Sequence, residues 1–156
     1  MGFSEQTHCL IKKIEKRQIQ LYLGFASCIS ELENPTMSNQ EWINYKIEIR
    51  DRLRAFSLEI LSLSEMLPEK TRGKVLNYQL TKSGTSMYAN YRAALRSRSK
   101  AEFFSKLTIA VEEADETEMW LDLIIASGIL TTDYVKSLHA ESEELLKILA
   151  AMRKKL

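Results

Sequence analysis

The sequence predicts an all-α fold, an antiparallel up-down-up-down four-helix bundle. Three observations predict it. The 156 residues include only five Gly and two Pro, Pro35 and Pro68, so long stretches run without a breaker. Apolar residues recur at spacings of three and four through four successive segments, which is the helical period. The connections between those segments are short, and short connections make consecutive helices antiparallel neighbours. Hydrophobic residues at 45% and charged residues at 28% give a globular balance in a chain long enough to bury one core.

The first segment, residues 1–36, is charged and only weakly periodic. Leu10, Ile14, Leu21, Phe25 and Leu32 fit one helical face with gaps, and Asn34-Pro35-Thr36 then breaks the pattern. Two readings stand for it: an accessory N-terminal helix, or an unstructured extension upstream of a start at Met37. The bundle occupies residues 37–156.

Ser38 with Glu41 is a capping box, and it opens a helix to about Leu67. Trp42, Tyr45, Ile49, Leu53, Phe56, Ile60, Leu63 and Leu67 make its core stripe, while Ile43, Ile47, Leu58 and Leu61 gather on the other face beside Arg50 and Arg54. Pro68 ends it. The second helix runs from about Thr71 to Arg96 on Leu76, Leu80, Gly84, Met87, Tyr91 and Leu95, with Ser83 and Ala94 between them. Gly84 costs helix propensity, and the expected return is close approach to a neighbouring helix. Ser99 with Glu102 is a second capping box.

The third helix spans about Lys100–Ser127, with Phe103, Leu107, Ala110, Ala114, Thr117 and Leu121 as its stripe and Phe104, Val111 and Ile125 beside it. Glu118 interrupts that stripe and needs a partner. Ile109, Met119, Trp120 and Leu123 lie on the other side. Gly128 stops the helix. Thr131 or Thr132 starts the last one, which carries Val135, Leu138, Ser142, Leu145, Leu149, Met152 and Leu156.

The net charge of +1 conceals an asymmetry. Between Pro68 and Lys100 stand eight bases, Lys70, Arg72, Lys74, Lys82, Arg92, Arg96, Arg98 and Lys100, against Glu69 alone. Between Ala101 and Leu130 stand seven acids, Glu102, Glu112, Glu113, Asp115, Glu116, Glu118 and Asp122, against Lys106 alone. At about 100° per residue, Lys74, Lys82, Arg92 and Arg96 share the face opposite the core stripe. That face is either a solvated surface paired with the acidic helix, in the same chain or the next, or a phosphate-binding surface for RNA or DNA. Tyr78 is the aromatic within it, so binding would be led by the backbone and only weakly sequence-specific.

Enzymatic classes fare poorly. Carboxylate-bridged metal bundles need paired Glu-x-x-His motifs on facing helices, and the chain holds two histidines, His8 and His139, with no such pair. No metal, cofactor or catalytic residue is therefore expected. No Ser or Cys converges on His139, which reads as a helix-surface histidine, and no glycine-rich phosphate loop is present. Cys9 and Cys28 form no CxxC pair and read as small apolar residues in a reducing compartment. Lys12, Lys13, Lys16 and Arg17 before Ile19–Phe25 and Cys28 loosely mimic a lipoprotein signal, but Gln18 and Gln20 interrupt the apolar region. A cytoplasmic protein with no membrane span is the expectation.

Three longer motifs carry a resemblance: S-x-x-x-N-Y-R-x-A at Ser86–Ala94, R-S-R-S-K-A-E-F at Arg96–Phe103, and E-E-A-D-E-T-x-x-W-L at Glu112–Leu121. With them, Asn39 to Leu156 resembles the small four-helix-bundle proteins named for open reading frames in 23S rRNA intervening sequences. The resemblance implies a homopentamer around a central channel. One related branch, the accessory variability protein of diversity-generating retroelements, binds nucleic acid and works with a reverse transcriptase, although it is more basic than this chain. The resemblance and the charge together predict a non-enzymatic oligomer that meets RNA or DNA through Lys74, Lys82, Arg92, Arg96, Arg98 and Lys100. Asn90 and Arg92 lie inside the first motif; Asn90 is expected to bond to a neighbouring helix, while the arginines either bind nucleic acid or pair with Glu112, Glu116 or Glu118. Self-contact is expected through Ile43, Ile47, Leu58, Leu61, Ile109, Met119, Trp120 and Leu123, which a monomer would leave in water. The alternative is a protein-binding scaffold whose basic and acidic helices pair within the oligomer.

Overall fold

A computed structural model describes residues 38–155, in four helices: α1 (Asn39–Ser64), α2 (Thr71–Ala94), α3 (Lys100–Ala126) and α4 (Asp133–Lys154). The expectations for residues 1–36, for a start at Met37 and for Leu156 lie outside the described residues. The chain divides into two units between Trp42 and Ile43. Of the first, the described part is the start of α1, where the capping box closes reciprocally. The Ser38 N–H donates to Glu41 Oε2 at 2.7 Å and the Glu41 N–H donates to Ser38 Oγ at 3.3 Å. Hydrogen bonds from the Ser38 hydroxyl and backbone N–H to its charged form hold the Glu41 carboxyl below its ordinary range.

The second unit is the four-helix bundle. Ser57 Oγ reaches the Gly84 carbonyl at 2.8 Å, Asn77 Nδ2 donates to Ser64 O at 3.0 Å, and Tyr91 OH donates to Lys46 O at 3.2 Å. Residue numbers rise along α1 as they fall along α2, so the two are antiparallel. The same logic makes α1 antiparallel to α4, through Arg52 with Glu141 and Tyr134 with Glu59, while the short connection from Ala126 to Asp133, with Glu118 against His139, makes α3 and α4 antiparallel neighbours. The order around the bundle is therefore α1, α2, α3, α4, with α1 and α3 at opposite corners.

The core is the set of stripes read from the period. Tyr45, Ile49, Leu53, Phe56, Ile60, Leu63 and Leu67 of the α1 segment are buried, as are Leu80, Met87 and Tyr91, Leu107, Ala114 and Leu121, and Val135, Leu145 and Leu149. Each large aliphatic side chain so buried contributes roughly 1.5–3 kcal/mol. Several positions differ from expectation: Trp42, Leu76, Leu95 and Phe103 of the expected stripes are only half-buried, and Ile148 is buried outside them. Ile124, not Ile125, is fully buried at the end of α3, and Phe104 is 47% exposed although Val111 one heptad later is covered.

Helix ends also differ by a few residues. α1 stops at Ser64 because Met66 and Leu67 bond back three residues, to Leu63 and Ser64, in a tighter turn that still buries Leu67. Arg96 and Ser97 do the same after α2, and α3 ends at Ala126 with Gly128 following at φ 69°. Thr132, rather than Thr131, caps α4, its hydroxyl accepting from the Val135 N–H at 3.4 Å. Gly73 is held by sterics: a Cβ there would collide with the Pro68 carbonyl oxygen.

Candidate nucleic-acid interface and assembly faces

Helix α2 buries Leu80, Gly84, Met87 and Tyr91, so its opposite face is left to solvent. Lys74, Lys82, Arg92, Arg96, Arg98 and Lys100 are all exposed there or in the turn that follows. They do not form one continuous patch. Lys74 and Lys82 border a shallow groove with Asn77, Tyr78 and Thr85. Arg92, Arg96 and Arg98 border a second, on the far side of Ala89, and Lys106 of α3 joins them. Lys100 lines neither. The ten residues from Lys82 to Arg92 set the two groups about 15 Å apart along the helix.

Sequence reasoning did not assign Lys106 to this group. It is the lone base between Ala101 and Leu130, and only the α2–α3 turn brings it to Arg92. Glu102 shares the groove, but its carboxylate accepts from the Arg98 backbone N–H at 2.8 Å while Ser99 Oγ accepts from the Glu102 N–H at 3.1 Å. The capping box thus reaches one residue further back than the usual reciprocal pair.

The alternative pairing of these arginines with Glu112, Glu116 or Glu118 does not occur among the described residues. Among the described residues, none of Lys82, Arg92, Arg96, Arg98 and Lys100 forms an ion pair, and Lys74 meets the exposed Glu69 at 3.2 Å. Glu118 goes instead to His139, Oε1 to Nε2 at 2.7 Å, so His139 is a half-buried partner rather than a surface histidine. Asn90 is also corrected: its Nδ2 donates to Ser86 O at 2.9 Å in its own helix, because an amide at that azimuth reaches back one turn more easily than across. On α3, burial beside Glu116 and Glu112 pushes the Glu113 carboxyl up, with Lys82 opposing.

The outer faces of α1 and α3 are apolar in part. Ile43, Ile47, Leu58 and Leu61 on α1, and Met119 and Leu123 on α3, are each 40–50% exposed. Ile109 and Trp120 are half-buried, and the Trp120 indole N–H is buried without an acceptor. Arg50 and Arg54 share the α1 stripe, whereas Glu112 and Glu116 share the α3 stripe.

Among the described residues, no helix is long and apolar enough to cross a membrane. A family model described as 23S rRNA-intervening sequence protein matches residues 45–151. Among solved structures, a protein of unknown function from the S23 ribosomal protein family of Bacteroides thetaiotaomicron is 35% identical. It superimposes with a TM-score of 0.65 over 70% of this chain and 97% of its own. No curated protein matches.

Proposed function

Since this chain belongs to the 23S rRNA-intervening sequence protein family, we propose that it is a non-enzymatic bundle that assembles with copies of itself and associates with nucleic acid through α2. The unspent cations carry this reading. Charges that folding leaves unpaired remain available to phosphates, and each phosphate neutralised releases counterions. An accessory role beside a reverse transcriptase is the finer form of the same reading.

Self-assembly is supported by where the apolar faces sit. With α1 and α3 at opposite corners, one copy offers two different patches, and Arg54 among the first, beside an Arg50 already bonded to Asp51 at 2.7 Å, complements Glu112 and Glu116 among the second. Unlike patches on opposite sides favour head-to-tail contact, which closes into a ring when the rotation allows. Ile47→Glu with Leu61→Glu should convert the assembly to single chains in sedimentation velocity; an unchanged mass would remove the α1 face from the contact.

Anisotropy of a labelled structured RNA, titrated with the full chain at increasing salt, tests the nucleic-acid role. Four phosphate contacts predict a loss of about 100-fold in affinity between about 50 and 200 mM salt, and Arg92→Glu with Arg96→Glu should flatten that dependence by about half. No binding at low salt would mean that α2 meets α3 of the next copy, leaving a protein-binding scaffold.

A further inference from the structure

One side-chain cluster is absorbed by neither role. His139 and Glu143 are one turn apart on α4 and so point the same way, and Glu118 of α3 faces them across the helix pair. Each of the three offers one ligand atom, and these atoms lie within 4.8 Å of one another. Two carboxylates therefore converge on one imidazole, an arrangement whose summed negative charge favours a cation. Lys147 lies 3.7 Å from Glu143, but both are largely exposed and the contact is easily released.

We propose that Glu118, His139 and Glu143 bind one divalent ion of the zinc class and so tie α3 to α4. Nitrogen and oxygen donors suit a borderline ion, whereas magnesium and calcium prefer oxygen alone. Ligand bonds of about 2.0–2.1 Å in a tetrahedral site set neighbouring donor atoms roughly 3.3 Å apart. His139 Nε2 and Glu118 Oε1, now 2.7 Å apart, separate by well under an ångström to meet that. Glu143 is exposed and has rotamer freedom to close the third side. The fourth position stays open to water or to a donor from another molecule. Sequence reasoning sought Glu-x-x-His; the ligand pair here is His-x-x-x-Glu, completed from a different helix.

The test is titration of the full-length, tag-free chain with Zn²⁺ and Co²⁺, followed by calorimetry, visible absorption and thermal unfolding. His8→Ala, Cys9→Ser and Cys28→Ser remove competing donors beforehand. The expected result is one Zn²⁺ per chain, tetrahedral d–d absorption with Co²⁺, and an unfolding midpoint raised by roughly 5–10 °C at a hundredfold excess over Kd. His139→Gln and Glu143→Gln should each weaken binding at least about tenfold. Glu143→Gln alters an exposed side chain, so it reads out binding without threatening the fold. Absence of binding, or an affinity unmoved by both substitutions, would overturn the site and leave Glu118–His139 as an ion pair alone.

Discussion

Arg52→Ala should lower stability by about 3 kcal/mol, moving the unfolding midpoint by roughly 10 °C. Arg52 Nε and Nη2 donate to both oxygens of Glu141 at 2.6 and 2.7 Å, and Nη2 also donates to Glu144 at 2.7 Å. All three side chains are largely covered, with 13%, 18% and 27% exposure. Burial works against the Arg52 charge, yet the two carboxylates outweigh it and hold the guanidinium pKa above its ordinary value. Deleting the arginine leaves two acids side by side with no counter-charge, and the loss comes chiefly from those survivors. Replacing all three by apolar residues of similar volume should recover most of the loss. Urea denaturation of the single and triple variants checks both; a single variant within about 2 °C of the parent would mean that solvent already screens the network.

Gly84→Leu should cost about as much for a different reason. A Cβ at Gly84 would stand 3.1 Å from both γ carbons of the buried Ile60, which must give by a few tenths of an ångström to admit it. Gly84→Ala therefore sets that tightness against a gain in helix propensity of about 1 kcal/mol and should be near neutral. Leucine has no such escape. Its outer atoms must push α1 off α2, stretching the 2.8 Å bond from Ser57 Oγ to the Gly84 carbonyl, and overpacking with a lost buried bond totals roughly 3 kcal/mol. Thermal unfolding of the two variants separates the contributions; a tolerated leucine would show that the helices do not need this approach.

The contrast between Gly84 and Arg52 shows what was legible in the sequence. Gly84 sits in a stripe of period 3.6 flanked by Ser83 and Ala94, so its close approach follows from local order alone. The same holds for the capping boxes at Ser38 and Ser99. Arg52 meets residues 89 and 92 positions away, and periodicity says which face a residue occupies but not which side chain stands opposite. Glu118 is the intermediate case: its need for a partner was legible, while His139 emerges only when α4 is laid beside α3. The same limit hid Lys106, which belongs to the arginine groove by topology and to the acidic helix by sequence. Phe104 and Val111 share an azimuth, yet one is exposed and the other covered, so azimuth alone does not fix burial.

The neighbouring basic and acidic helices have a consequence for motion in a field. With a net charge of +1, the molecule has almost no monopole, yet within the bundle α2 carries four bases and no acid while α3 carries seven acids against Lys100 and Lys106, so opposite charges are separated onto neighbouring helices. Such a body is turned more strongly than it is pulled. Near an extended anion such a distribution favours an approach with α2 forward, and near an extended cation one with α3 forward. Its isoelectric point of about 7.7 therefore describes its behaviour poorly. Orientation, rather than total charge, decides what it approaches.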